Sequence, residues 1–77
     1  MLERIRNLRE DKDLTQKQMA EKLSVAQTTY SDYELGKLNI PTSILRQLAL
    51  ILETSVDYLV GLTDERKPYP RAANLRQ

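Results

Sequence analysis

The stretch Leu14–Lys37, LTQKQMAEKLSVAQTTYSDYELGK, decides how this chain is read. It holds two short segments of helical spacing joined by Ser24-Val25-Ala26. In the first, Thr15-Gln16-Lys17-Gln18 fits a capping box: the threonine oxygen accepts from the Gln18 backbone N–H, and the Gln18 side chain reaches back. Leu14 and Met19 flank that box as a hydrophobic staple. Met19 and Leu23 then share one helix face, beside a small Ala20 that lets another helix approach. The second segment runs from Gln27 to Glu34 or Leu35, and Gly36 is the left-handed cap expected just past a helix end. Tyr30 and Tyr33 fall on one side and close over Val25, Met19 and Leu23. Gln27, Thr28 and Ser31 point away, with Asp32 beside them. That outer face is either an ordinary solvated helix surface or a surface built to touch something.

Outward from this pair, helical spacing continues and strand signals are absent. Before it, Leu2 to about Lys12 aligns Leu2, Ile5, Leu8 and Arg9, and Asp13 takes a left-handed turn more easily than most residues. After it, KLNIP forms a loop. Pro41 cannot continue a helix, and Thr42 is expected to cap the fourth. That helix carries Ile44, Leu45, Leu48, Ala49, Ile51 and Leu52 and reads as the central core helix. Ser55 caps a short fifth helix, with Asp57 in its first turn and Gly61 at its end. From Thr63 the composition turns to proline and basic residues. The expected organisation is therefore one all-α domain at 1–62 and a flexible basic tail at 63–77.

Composition narrows the function classes. A chain of 77 residues is one domain at most. It has no cysteine and no histidine, which removes disulfides, the usual general base and most zinc sites. No apolar run approaches the ~20 residues that span a bilayer, and no signal-peptide apolar region opens the sequence. A cytoplasmic domain without cofactor or metal is expected. Residues 1–62 carry eight Lys/Arg against nine Asp/Glu, and residues 63–77 carry four against two. The basic footprint usual in nucleic-acid binders is missing from the helical part. Asp11 and Asp13 are a close carboxylate pair without a basic or nucleophilic partner, so no catalytic residue is expected.

Two short helices joined by a three- or four-residue turn are the helix-turn-helix pattern. Beyond that pattern, the sequence resembles the Cro/CI-type domains of phage repressors and xenobiotic-response-element (XRE) regulators, lambda-repressor-like five-helix folds. The resemblance covers roughly residues 1–62. It rests on Leu14-Thr15-Gln16, on Tyr33-Glu34-x-Gly36-Lys37, and on Ser55-Val56-Asp57-Tyr58-Leu59, in order and at the expected separations. It implies a bacterial DNA-binding transcriptional regulator, a repressor of a phage or mobile element, which binds a palindromic double-stranded operator as a homodimer.

The resemblance places base-edge contacts on Gln27 and Thr28, then on Ser31 and Asp32. The chemistry agrees, since glutamine pairs with adenine, Ser and Thr donate or accept, and aspartate accepts from cytosine N4. Thr15 and Gln16 stand where backbone N–H groups and the helix dipole favour a phosphate; Lys17, Lys37 and Asn39 are further phosphate candidates. The resemblance also implies an ion pair between Arg9 and Glu34 that locks the third helix and leaves guanidinium donors near the DNA backbone.

Three positions depart from the family pattern. Ser24 replaces a common glycine, and Ala26 replaces a common Ser or Thr cap. Ser24-x-x-Gln27 offers an alternative capping box that would start the third helix earlier. Asp32 replaces a basic or amide residue. An antitoxin or regulator-partner module that binds another protein is the competing reading. Candidate dimer contacts are Leu50, Thr54 and Tyr58, with Tyr69 and Leu75 of the tail.

Overall fold

A computed structural model describes residues 2–68 of the chain; the candidate contacts Tyr69 and Leu75 lie outside that range. Five helices follow in order: α1 Glu3–Asp11, α2 Gln16–Leu23, α3 Gln27–Leu35, α4 Thr42–Ile51 and α5 Val56–Leu59. Among the described residues there is no strand. None of the helices is long and apolar enough to cross a membrane.

Local chemistry accounts for most of the boundaries. Asp13 has a φ of 57° and turns the chain between α1 and α2. The Thr15 box is formed: Gln18 N donates to Thr15 Oγ1 at 3.0 Å and Thr15 N to Gln18 Oε1 at 2.8 Å. Gly36 ends α3 in the left-handed region, φ 77°. Ser55 Oγ accepts from Tyr58 N at 3.0 Å and caps α5.

Two expected caps are different. Thr42 is the first helical residue of α4, and Pro41 is its N-cap. The Pro41 carbonyl already accepts from Ile44 N and Leu45 N, both at 3.0 Å, so the helix begins one residue ahead of a Thr42 cap. The Ser24 capping box does not form. Ser24 is the left-handed C-cap of α2, with φ 58° and ψ 41°, and its N–H returns to Ala20 and Glu21 carbonyls. The demands of ending α2 prevail, and α3 starts at Gln27 behind Ala26, without a side-chain cap.

The core joins Ile5 and Leu8 of α1, Met19, Ala20 and Leu23 of α2, Tyr30 and Tyr33 of α3, and Ile44, Leu48 and Ala49 of α4, with Leu52 and Leu59 beyond. Leu2, Leu14 and Val25 pack at its margin. Helices this short are marginal alone, so packing holds them.

Past α5 the chain runs back along α1. Arg4 Nη1 donates to the carbonyls of Tyr58 (2.8 Å) and Thr63 (2.6 Å), and Nη2 meets Asp64 at 2.7 Å. The same guanidinium stands 4.3 Å from the Tyr58 ring centroid. Thr54 Oγ1 donates to the Arg66 carbonyl at 2.7 Å, and Arg66 reaches Asp11 at 3.3 Å. These contacts correct one candidate for dimerisation. Thr54 is fully buried, its hydroxyl tied to the Arg66 carbonyl, while Leu50 and Tyr58 are half-buried.

Candidate nucleic-acid interface

The inner side of α3 is fixed by a buried polar cluster centred on Glu34. Its carboxylate accepts from Arg9 Nε at 2.7 Å, from Arg9 Nη2 at 3.3 Å and from Gln16 Nε2 at 3.1 Å. The Tyr30 hydroxyl, one helical turn back, also donates to it. Arg9 and Glu34 are only 7% and 2% exposed, so this is an interior ion pair with nearly every valence filled.

Burial alone would push the Glu34 carboxyl up. The hydrogen bonds from Arg9, Tyr30 and Gln16, with the Arg9 charge, outweigh burial and hold it below its ordinary range. The Glu34 hydrogen bond, against desolvation, pushes the Arg9 guanidinium up and keeps it charged. Burial first, then the bond to Glu34, pushes the Tyr30 phenol up and keeps it neutral. Arg9 Nη1 also donates to the Leu14 carbonyl at 2.7 Å, so each of its nitrogens is engaged inside the protein. One cluster thereby ties α1, the entrance to α2 and the end of α3 together.

The outer side of α3 is the reverse. Gln27 and Thr28 are exposed on its first turn, and Ser31 and Asp32 are half-exposed one turn later. Among the described residues none of these four side chains has a hydrogen-bond or ion-pair partner. Residues one turn apart share a face, so the four form a continuous edge whose donors and acceptors face solvent. The turn that presents them, Ser24–Ala26, is short because α2 closes on the left-handed Ser24 and α3 begins three residues later, at Gln27.

The phosphate candidates differ in exposure and in what holds them. Thr15 is exposed; its oxygen accepts from Gln18, which leaves its O–H as a donor. Gln16 is half-buried, and its amide is oriented by Glu34. Lys17 is exposed on the first turn of α2. Lys37 and Asn39 are exposed in the loop past α3, where Lys37 N donates to the Asp32 carbonyl at 2.9 Å. Sequence reasoning missed the Gln16 and Tyr30 links to Glu34. The Tyr30–Glu34 spacing of four residues was the available signal.

A family described as Helix-turn-helix matches residues 5–59, which span all five helices bar the first two residues of α1. The chain belongs to the helix-turn-helix family. Three similar proteins, all from Bacillus subtilis (strain 168), carry the same type of name. The uncharacterised HTH-type transcriptional regulator YobD is 39% identical over 97% of this chain and 67% of its own length. The uncharacterised regulator YqaE is 38% identical over 83% of the chain and 56% of its own length. The HTH-type transcriptional regulator AnsR is 31% identical over 96% of the chain and 64% of its own length. The helix-turn-helix chain thus spans from just over half to about two thirds of these relatives. Membership of this XRE-type regulator family makes it a DNA-binding regulator and not an enzyme.

Proposed function

We propose that this helix-turn-helix domain reads double-stranded DNA in the major groove with α3 and acts as a cytoplasmic bacterial repressor that binds its operator as a dimer. The observation that carries this reading is the division of α3. Its inner side is locked to α1 and α2 through Glu34, and its outer edge presents Gln27, Thr28, Ser31 and Asp32 without internal partners. A reading element needs both properties: rigid placement and unsatisfied polar groups of the type that pair with base edges. In this reading Gln27 and Thr28 meet bases first and Ser31 and Asp32 next. Thr15, Gln16, Lys17, Lys37 and Asn39 set register on phosphates, which position a protein without specifying sequence.

Dimerisation follows from the same chemistry. A small domain of near-neutral charge gains little from non-specific attraction, and a second linked copy raises its effective affinity. Two third helices in successive major grooves then stand about 34 Å apart on a palindromic site. Selection from a random duplex pool with the purified chain tests the reading. An enriched palindrome with half-sites about one helical turn apart is expected; no enriched motif at low salt overturns it.

A second reading, a protein-interaction module of the antitoxin or regulator-partner type, has one observation in its favour. Leu38 and Val60, 45% and 46% exposed, line a shallow groove with Leu2, Ile40 and Leu45 beside the end of α3. Salt dependence separates the two. DNA binding weakens with a log–log slope of about −0.9 per neutralised phosphate, and apolar docking does not.

A further inference from the structure

Arg6 lies on α1 one turn after Leu2 and one turn before Arg9, so these three residues share one stripe of the helix. On either side of Arg6 that stripe touches α3 directly. Leu2 N donates to the Glu34 carbonyl at 2.9 Å, and Arg9 clasps the Glu34 carboxylate. Arg9 also reaches the Leu14 carbonyl at the entrance to α2. Arg6 therefore stands at the seam between α1 and the end of the recognition helix.

Its side chain is half-buried, and its Nε is buried without a hydrogen-bond partner. Two carboxylates are within helical reach, Glu3 three residues before and Glu10 four residues after. Arg6 pairs with neither; Glu10 approaches Arg9 instead, at 3.9 Å. Arg4, Arg9 and Arg66 each hold a carboxylate, and Arg46 is exposed. Among the described residues, Arg6 is thus the partly buried arginine whose guanidinium has no acceptor in the protein. Ordinary snorkelling buries the methylene stem and keeps the head in water, which does not account for a desolvated Nε. An orphaned donor costs about 1–3 kcal/mol, and in a binding protein its natural complement is an acceptor brought by the ligand.

We propose that Arg6 is an additional DNA-phosphate contact, its stem packed at the α1–α3 seam and the Nε–Nη side of its guanidinium meeting a backbone phosphate. The fork of a guanidinium matches two phosphate oxygens, and a stem held in place loses less freedom when the contact forms. This contact is separate from the base-reading edge of α3 and from the candidates at Thr15–Lys17 and Lys37–Asn39. It rests on the DNA-reading function proposed above.

The test uses the duplex that the wild-type chain enriches from a random pool, with affinity measured across a salt series. Arg6→Gln is expected to make the log–log slope shallower by about 0.9, one phosphate's worth, with the preferred bases unchanged. Arg6→Lys keeps the charge and is expected to keep the slope. Thermal denaturation checks that each variant folds; if Gln at this position unfolds the chain, Arg6→Met, which preserves the packed stem, replaces it. An unchanged slope in a folded, uncharged variant overturns the Arg6 contact while leaving DNA reading intact. Absence of salt-dependent binding by the wild-type chain overturns both.

Discussion

Glu34 and Arg9 meet through two parallel contacts, Nε to Oε2 at 2.7 Å and Nη2 to Oε1 at 3.3 Å, across 25 residues of sequence. Both side chains are nearly inaccessible. Taking two charges out of water is expensive, and it is offset here by the extra bonds from Gln16, Tyr30 and the Leu14 carbonyl. The pair stands at the junction of three helices, so what it fixes is the angle at which α3 leaves the domain.

Removal of either partner strands the other charge in the interior. Arg9→Ala and Glu34→Ala are each expected to cost about 3–5 kcal/mol, a large share of the ~5–15 kcal/mol typical of a domain. Denaturant unfolding of the two single variants and the double variant forms a cycle. The coupling expected exceeds about 1 kcal/mol, as for residues in one network; a coupling of zero contradicts the interior pair.

The same cluster sets the pH range of stability. The folded Glu34 carboxyl lies below its ordinary value. Its contribution is therefore complete above the unfolded pKa, about 4.3, and is lost as the pH falls through the lower folded value. Glu34→Gln should flatten this acid arm in unfolding curves measured against pH. A variant that still loses stability as steeply as the wild type would show that other carboxyls govern the acid arm.

Tyr30 works from the other side. Its phenol is raised by burial and by Glu34. Its contribution is complete below the ordinary tyrosine value, about 10, and is lost as the pH rises toward the folded value. Tyr30→Phe keeps the packed ring and deletes the bond to a charged acceptor, at about 1.5–3 kcal/mol. It should lower stability at neutral pH and abolish the alkaline dependence. Retention of that dependence in Tyr30→Phe would assign it elsewhere.

The parts of the fold legible in the sequence are those whose partners lie within a turn or two. The Thr15–Gln18 box, the Gly36 cap and the Ser55 cap each join residues at most a few positions apart. Gln16 meets Glu34 across 18 residues, and nothing local to Gln16 signals that link. It depends on how α2 docks against α3. Thr54 looked available because its hydroxyl's partner is the Arg66 carbonyl, in a stretch that a polar composition marks as a tail. Ser24 was ambiguous for another reason: one residue could end α2 or begin α3, and only packing decides. The Arg9–Glu34 contact was accessible through family resemblance alone, since two charges so far apart carry no spacing signal.

Ser24 provides a prediction on the turn itself. It is a non-glycine residue at φ 58°, a region disfavoured by roughly 1–2 kcal/mol per residue for most side chains. Ser24→Gly relieves that strain and also frees the unfolded chain, so the net gain expected is only about 0.5–1 kcal/mol. In a domain of this size that corresponds to a melting-temperature rise of a few degrees, roughly 4–8 °C per kcal/mol. A lower melting temperature would mean that the serine side chain contributes to the turn in a way its backbone geometry does not reveal.

Asp32 offers the sharpest test of the reading edge. It is half-exposed on the outer face of α3, one turn after Thr28. A carboxylate facing phosphates opposes binding, whereas one facing cytosine N4 selects a base. These two roles respond differently to Asp32→Asn, which removes the charge with little change of shape. Loss of repulsion alone would tighten binding to all duplexes equally. If Asp32 reads a base, the variant should change the preferred base at one position of each half-site, with discrimination altered by about 1–3 kcal/mol. Parallel selections from one random duplex pool with the wild-type chain and the variant compare the outcomes directly. Identical motifs with uniformly higher affinity would remove Asp32 from the reading edge and leave Gln27, Thr28 and Ser31 as the proposed base contacts.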